Sequence, residues 1–135
     1  MEPLDEEHFP KPLREALGFR RVVDTDAQQG AVTLAFEPPP QFLHTGGTTV
    51  QGGIVGAWID HAMAWAVYVR DRQSGIATLE LKTSYLARVG PAESLVRATV
   101  LRWGRNVVFL EGEVLGADGR PLVRASSTAM RIQLA

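Results

Sequence analysis

The sequence contains no cysteine. That removes disulfide scaffolds, thiol nucleophiles, zinc ribbons and cysteine-ligated clusters from consideration. An excess of one charge is missing as well: 14 Lys+Arg stand against 15 Asp+Glu, a formal net charge of -1. No bulk basicity points to nucleic acid, and no acidic surplus points to a cation buffer. Histidine is scarce, and His8, His44 and His61 are scattered without metal-ligand spacing. Neither a metal nor a cofactor is therefore expected. The Gly-x-Ser-x-Gly elbow, the His-Glu-x-x-His helix, the P-loop and the dinucleotide glycine pattern are all absent. The longest apolar stretch, Ile54 to Val69, is broken by Asp60 and His61 and falls short of the ~20 residues of a membrane span. The first residues, Met1-Glu2-Pro3-Leu4-Asp5-Glu6-Glu7, have neither the basic start nor the apolar run of an export signal. The expectation is a cytoplasmic protein with no membrane and no nucleic-acid partner.

What is present suits a folded domain. At roughly 100–200 residues per domain, residues 1–135 make one unit. Hydrophobic residues make up 45% and charged residues 21%, enough apolar side chain for a core and too little charge for a disordered chain. Residues 5–17 carry a short helical pattern ending at Gly18, an N-terminal helical extension over 1–17. Phe19 to Asp24 and Ala31 to Phe36 read as strands. Pro38-Pro39-Pro40 stops regular structure, and residues 37–50 are expected to form a loop. Gln51 to about Asp71 is the one long helix, apolar nearly all round, so something wide must wrap it. Strands follow at Ile76 to Val89, Ser94 to Trp103, Asn106 to Leu115 and Arg120 to Leu134, joined by turn chemistry at Gly90-Pro91, Gly104-Arg105 and Ala117-Asp118-Gly119. The economical architecture is α+β: one antiparallel sheet curled around one central helix.

Asp60 is the most informative residue. It stands midway along that helix, with Gly56, Ala57, Met63 and Ala64 at three- and four-residue spacing and no cation among them. A carboxylate there loses hydration unless a donor reaches it. Such a residue can be a structural carboxylate bonded to a backbone N–H; the small neighbours favour a ligand beside it. Gln51-Gly52-Gly53 opens the same helix, where unpaired N–H groups and a partial positive charge favour a carbonyl or an anion. The Gly52 N–H could act there as an oxyanion donor; the plainer role of the two glycines is to let the helix start tightly against a sheet. Gly52 and Asp60 are eight residues apart, roughly 12 Å along a helix. One carbonyl group cannot touch both. If both serve one substrate, they come from two copies whose central helices lie side by side and antiparallel. His61 points about 100° away from Asp60 and reads as packing or interface. His44 lies in the glycine-rich loop and could line a pocket. Arg88, Arg102 and Arg105 flank strand ends and turns, where they are solvated charges or phosphate contacts.

The segment Val50-Gln51-Gly52-Gly53-Ile54-Val55-Gly56-Ala57-Trp58-Ile59-Asp60 resembles the hotdog-fold thioesterases, in particular the phenylacetate-pathway (PaaI-like) branch of the 4-hydroxybenzoyl-CoA thioesterase superfamily. Those proteins read His-Gly-Gly, then an acidic residue eight positions after the first glycine. Thr78 to Gly90, Gly104-Arg105 and Ala117 to Val123 resemble the following strand and turns, so the likeness runs over residues 18–134. The resemblance implies a hotdog fold in which Asp60 is general base or nucleophile and Gly52, with Gly53 beside it, polarises a thioester carbonyl. It implies that Thr78 helps hold the water or the carboxylate. Gln51 stands where the family has histidine, and Thr45 where several members have asparagine. Gln51 can donate a hydrogen bond but cannot carry a proton. Thr45 is short, and His44 could substitute for it.

The expected activity is hydrolysis of an aromatic or medium-chain acyl-CoA in a homodimer doubled to a homotetramer, with Arg88, Arg102 and Arg105 on the CoA phosphates. Two other readings fit the same fold. A non-catalytic acyl-CoA binding module would lack or displace the acid. A hydratase or dehydratase would need an Asp/His pair that the adjacent Asp60-His61 cannot offer in good geometry.

Overall fold

A computed structural model describes residues 8–134. Helix α1 spans Lys11–Leu17 and is entered through Pro10. It is shorter than the 5–17 expected: residues 8–10 are non-helical, and residues 5–7 lie outside the described residues. Gly18 closes it in the left-handed region, at φ 81°. Any side chain there would also run into the Glu37 carbonyl oxygen, so both conformation and space require glycine.

Strands β1 (Phe19–Asp26) and β2 (Ala31–Phe36) form an antiparallel pair. β1 runs to Asp26 rather than stopping at Asp24, because Thr25 and Asp26 still pair with Val32 and Ala31. The expected loop 37–50 holds a short 3-10 turn over Pro40–Phe42 and a small hairpin, β3 (Leu43–His44) with β4 (Thr49–Val50). Helix α2 follows over Gly52–Arg70, then β5 (Ser74–Tyr85), β6 (Ser94–Trp103), β7 (Val107–Leu115) and β8 (Pro121–Gln133). β5 starts two residues earlier than Ile76 and ends at Tyr85 rather than Val89. Beyond Tyr85 the backbone leaves the ladder, and the N–H groups of Leu86 and Ala87 both turn to the Leu122 carbonyl.

The six large strands make one antiparallel sheet in the order β1-β2-β6-β7-β8-β5. α2 packs against β1, β2, β5, β6 and β7, so the sheet curls around the helix as the all-round apolar pattern requires. Trp58, Ile59 and Met63 of α2 are completely buried with Leu34 and Phe36 of β2. The Trp58 and Phe36 rings stack at 5.2 Å. The Trp58 indole N–H donates to the Leu17 carbonyl oxygen at 2.7 Å, which ties the end of α1 to the core. No helix among the described residues is long and apolar enough to cross a membrane.

Candidate active site

The sheet delivers Thr78 to Asp60. Thr78 lies on β5 beside a break in register: it pairs with Ala129 while Glu80 pairs with Thr128, so Leu79 is an extra residue on the bulged strand. The Ser127 hydroxyl donates to the Glu80 carbonyl oxygen at 2.8 Å and fixes the bulge. The Thr78 hydroxyl donates to Asp60 Oδ1 at 2.6 Å. This is the side-chain donor that a carboxylate among Gly56, Ala57 and Ala64 lacks on its own helix. Asp60 is half-buried in the single chain rather than enclosed, because Gly56, Ala57 and Ala64 on its face are half-buried too. A cavity of about 430 Å³ opens beside it, lined among others by Ala57, Asp60, Ala64, Ile76 and Thr78.

His61 lies in the same wall and also fulfils its packing role. It is 7% exposed, and Phe9, Phe19 and Phe36 surround its ring. The Trp65 indole N–H donates to its Nε2 at 3.2 Å, which puts the proton of the neutral ring on Nδ1. Burial, with the Arg14 guanidinium adding to it, holds the imidazole pKa down at about 4.

A second cavity, of about 320 Å³, lies at the N-terminal end of α2, with His44, Val50, Gly52, Val55, Tyr85 and Arg88 among its lining residues. Gln51 is the N-cap of α2, and its Oε1 accepts from the Ile54 N–H at 3.0 Å. A Cβ at Gly53 would come within 2.9 Å of that oxygen, so glycine makes room for the folded-back cap. The cap consumes the oxygen of Gln51 and leaves its NH2 as the donating end. Among the described residues, the Gly52 N–H has no intrachain partner, as the first turn of a helix leaves it. Thr45 sits in the turn of the β3–β4 hairpin with φ 54°, and His44 Nδ1 lies 2.8 Å from its hydroxyl.

Two groups of contacts escaped sequence reasoning. The Tyr85 hydroxyl donates to the Gly52 carbonyl oxygen at 2.5 Å, closing one side of the Gly52 cavity, and partial burial raises its pKa. The two residues are 33 positions apart, and no local signal links them. Phe9, Leu13 and Leu17 line the Asp60 cavity, although the N-terminal extension carried no expected role. Of the three arginines, Arg88 joins the Gly52 cavity. Arg102 lies opposite Phe109 near the end of β6, and Arg105 lies in the turn after it; both are exposed and line neither cavity. No group of His, Asp and Glu that could hold a metal occurs among the described residues.

The model of the thioesterase superfamily matches residues 47–123. No curated protein sequence matches the chain. Among solved structures, a phenylacetic acid degradation-related protein from Ralstonia eutropha is 28% identical over 96% of this chain and 92% of its own, with a TM-score of 0.80. A variant of the phenylacetic acid degradation protein PaaI from Thermus thermophilus is 25% identical over 90% of this chain and 100% of its own, with a TM-score of 0.76. A Streptococcus mutans protein solved with acetyl CoA is 17% identical over 86% of this chain and 90% of its own, at a TM-score of 0.75.

Proposed function

This chain belongs to the thioesterase superfamily, and from that premise we propose that it hydrolyses an aromatic or medium-chain acyl-CoA at a site shared by two copies. The observation that carries this reading is the pairing of Thr78 with Asp60 in the lining of one cavity while Gly52 lines another. The two groups are eight residues apart on one helix, roughly 12 Å, so a single carbonyl meets both only if each comes from a different chain. β5 supports the same assembly. It is a 12-residue edge strand, exposed from Ala77 to Glu80, and a long unpaired edge calls for a partner. The Streptococcus mutans relative with its acetyl CoA supports the choice of carrier.

In this reading the thioester oxygen sits at the Gly52 N–H of one copy, at the positive end of α2. Asp60 of the other copy takes a proton from the attacking water, or attacks the acyl carbon itself and is regenerated by water. Thr78 holds one carboxylate oxygen and leaves the other free. The products are the acid and CoA thiol. The leaving thiolate needs no strong general acid, so the absence of a histidine at position 51 is tolerable. Arg88, in the Gly52 cavity, takes a CoA phosphate.

Two variants test the site together. Asp60→Asn keeps the shape of the side chain and removes the base or nucleophile. Gly52→Pro removes one N–H at the first helical position, where proline is tolerated. Each alone should lose thiol release by a factor of about 100 or more while melting near the wild type. Unfolded and refolded together in equal amounts, they should regain about a quarter of wild-type activity, because half the dimers are mixed and each mixed dimer keeps one intact site. Full activity in Asp60→Asn, or no recovery from mixed dimers shown to have formed, refutes the shared site.

A further inference from the structure

Segment 8–17 lines the Asp60 cavity through His8, Phe9, Leu13 and Leu17, and three contacts fix it. The Phe9 ring is 4% exposed and stacks on Trp65 at a centroid distance of 4.5 Å. It also meets His61 and Tyr68 edge-on. The Arg14 Nε donates to the Phe9 carbonyl oxygen at 2.7 Å, folding the segment back on α1. At the other end, the buried Trp58 bond holds the Leu17 carbonyl. The segment is thus a wall with fixed ends.

Its position is set by helix geometry. His61, Trp65 and Tyr68 form one row along α2, and Ala57, Asp60 and Ala64 form the neighbouring row. Phe9 covers the first row. The second row, with its two alanines, is left as a groove leading away from the carboxylate, and Phe9, Leu13 and Leu17 line the same cavity. We propose that this segment is the wall that selects the acyl group: the acyl chain leaves the reacting carbon at Asp60, runs in the alanine groove, and has its length and width limited by Phe9 and Leu13. The ligand class is an uncharged, apolar acyl group. The inference deepens the thioesterase reading and rests on it for the identity of the ligand.

Two substitutions move the wall in opposite directions. Leu13 is 44% exposed, so Leu13→Trp adds bulk without opening the core. Phe9→Ala removes the aromatic stop. The first measurement is kcat/KM for thiol release across straight-chain acyl-CoAs from two to twelve carbons, with benzoyl-CoA and phenylacetyl-CoA. The second is calorimetric affinity for non-hydrolysable thioether analogues of the same chains. Leu13→Trp should lower the longest accepted chains about tenfold relative to the shortest, and Phe9→Ala should favour longer or wider groups by a similar ratio. The thioether affinities should shift the same way. If Phe9→Ala melts early, Leu13→Trp alone decides.

Thiol release whose chain-length profile is unchanged in Leu13→Trp overturns the wall and leaves the hydrolase reading standing. Length-dependent thioether binding that Leu13→Trp alters, with no thiol release from any substrate in the wild type, overturns hydrolysis and supports the wall. Thioether affinity that Leu13→Trp leaves unaltered overturns the wall whether or not turnover occurs.

Discussion

Replacing His61 with glutamine should flatten the acid limb of the stability curve. The imidazole is held neutral by burial and by Arg14, with a folded-state pKa of about 4 against an ordinary value of 6.5. In the unfolded chain it takes a proton as the pH falls through 6.5; in the folded chain it does so only near 4. Between those values the unfolded state binds more protons, so acidification favours unfolding. The stabilisation is therefore fully present above pH 6.5 and is lost as the pH falls to about 4, a difference of about 3 kcal/mol. That is a large share of the 5–15 kcal/mol of a typical domain. Glutamine offers the Trp65 indole N–H a carbonyl oxygen in place of Nε2, so the variant keeps that hydrogen bond. The assay is urea unfolding at fixed protein concentration, at pH 7.5 and pH 4, for wild type and His61→Gln. Titration of the remaining groups is common to both proteins and cancels in the difference of differences. Wild type should lose about 2–3 kcal/mol more than the variant across that interval. Equal losses would refute the argument that this imidazole is buried neutral.

Arg88→Ala should raise KM for an acyl-CoA about fivefold, the equivalent of about 1 kcal/mol, while Arg102→Ala and Arg105→Ala stay within twofold; steady-state kinetics on the three variants checks it. Gly18→Ala should cost at least about 1–3 kcal/mol through the left-handed backbone alone, more through the collision with Glu37, and lower the melting temperature by several degrees. A Gly18→Ala protein that melts with the wild type would contradict the close approach.

The legible parts of this fold are those with a period or a punctuation mark. β2, β6 and β7 alternate, and each is bounded by glycine or proline, so their limits fall within a residue or two of the expected ones. Asp60 and Gly52 stood out by type and spacing, Thr78 only through the family resemblance, and the structure brings Thr78 to Asp60 while giving Gly52 a cavity of its own. The β3–β4 hairpin was not legible, because strands of two residues are too short to show alternation. The Leu79 bulge was hidden for a different reason. It depends on the register of β5 against β8, which is fixed by partners some fifty residues away. The wall over Asp60 was hidden in a single aromatic residue before Pro10, whose burial becomes visible only once Trp65 and Tyr68 are placed beneath it.

The long helix shows what a hydrophobicity pattern conceals. Read by polarity, α2 is apolar nearly all round and asks only to be covered. Read by size, it has two sides. Trp58, Ile59, Met63, Trp65 and Val67 are large and buried by the chain's own sheet and N-terminal segment. Gly53, Gly56, Ala57 and Ala64 are small and remain open or half-open, and the last three flank Asp60. Small residues contribute little to the core, since burial scales with apolar area at about 25 cal/mol per Å². Their value on that side is space, which lets a ligand or a second backbone approach the carboxylate. A helix that faced only its own sheet would gain stability from larger residues at 57 and 64. Their absence beside a threonine-held carboxylate is what makes the open side of α2 the place to look for both the substrate and the second copy.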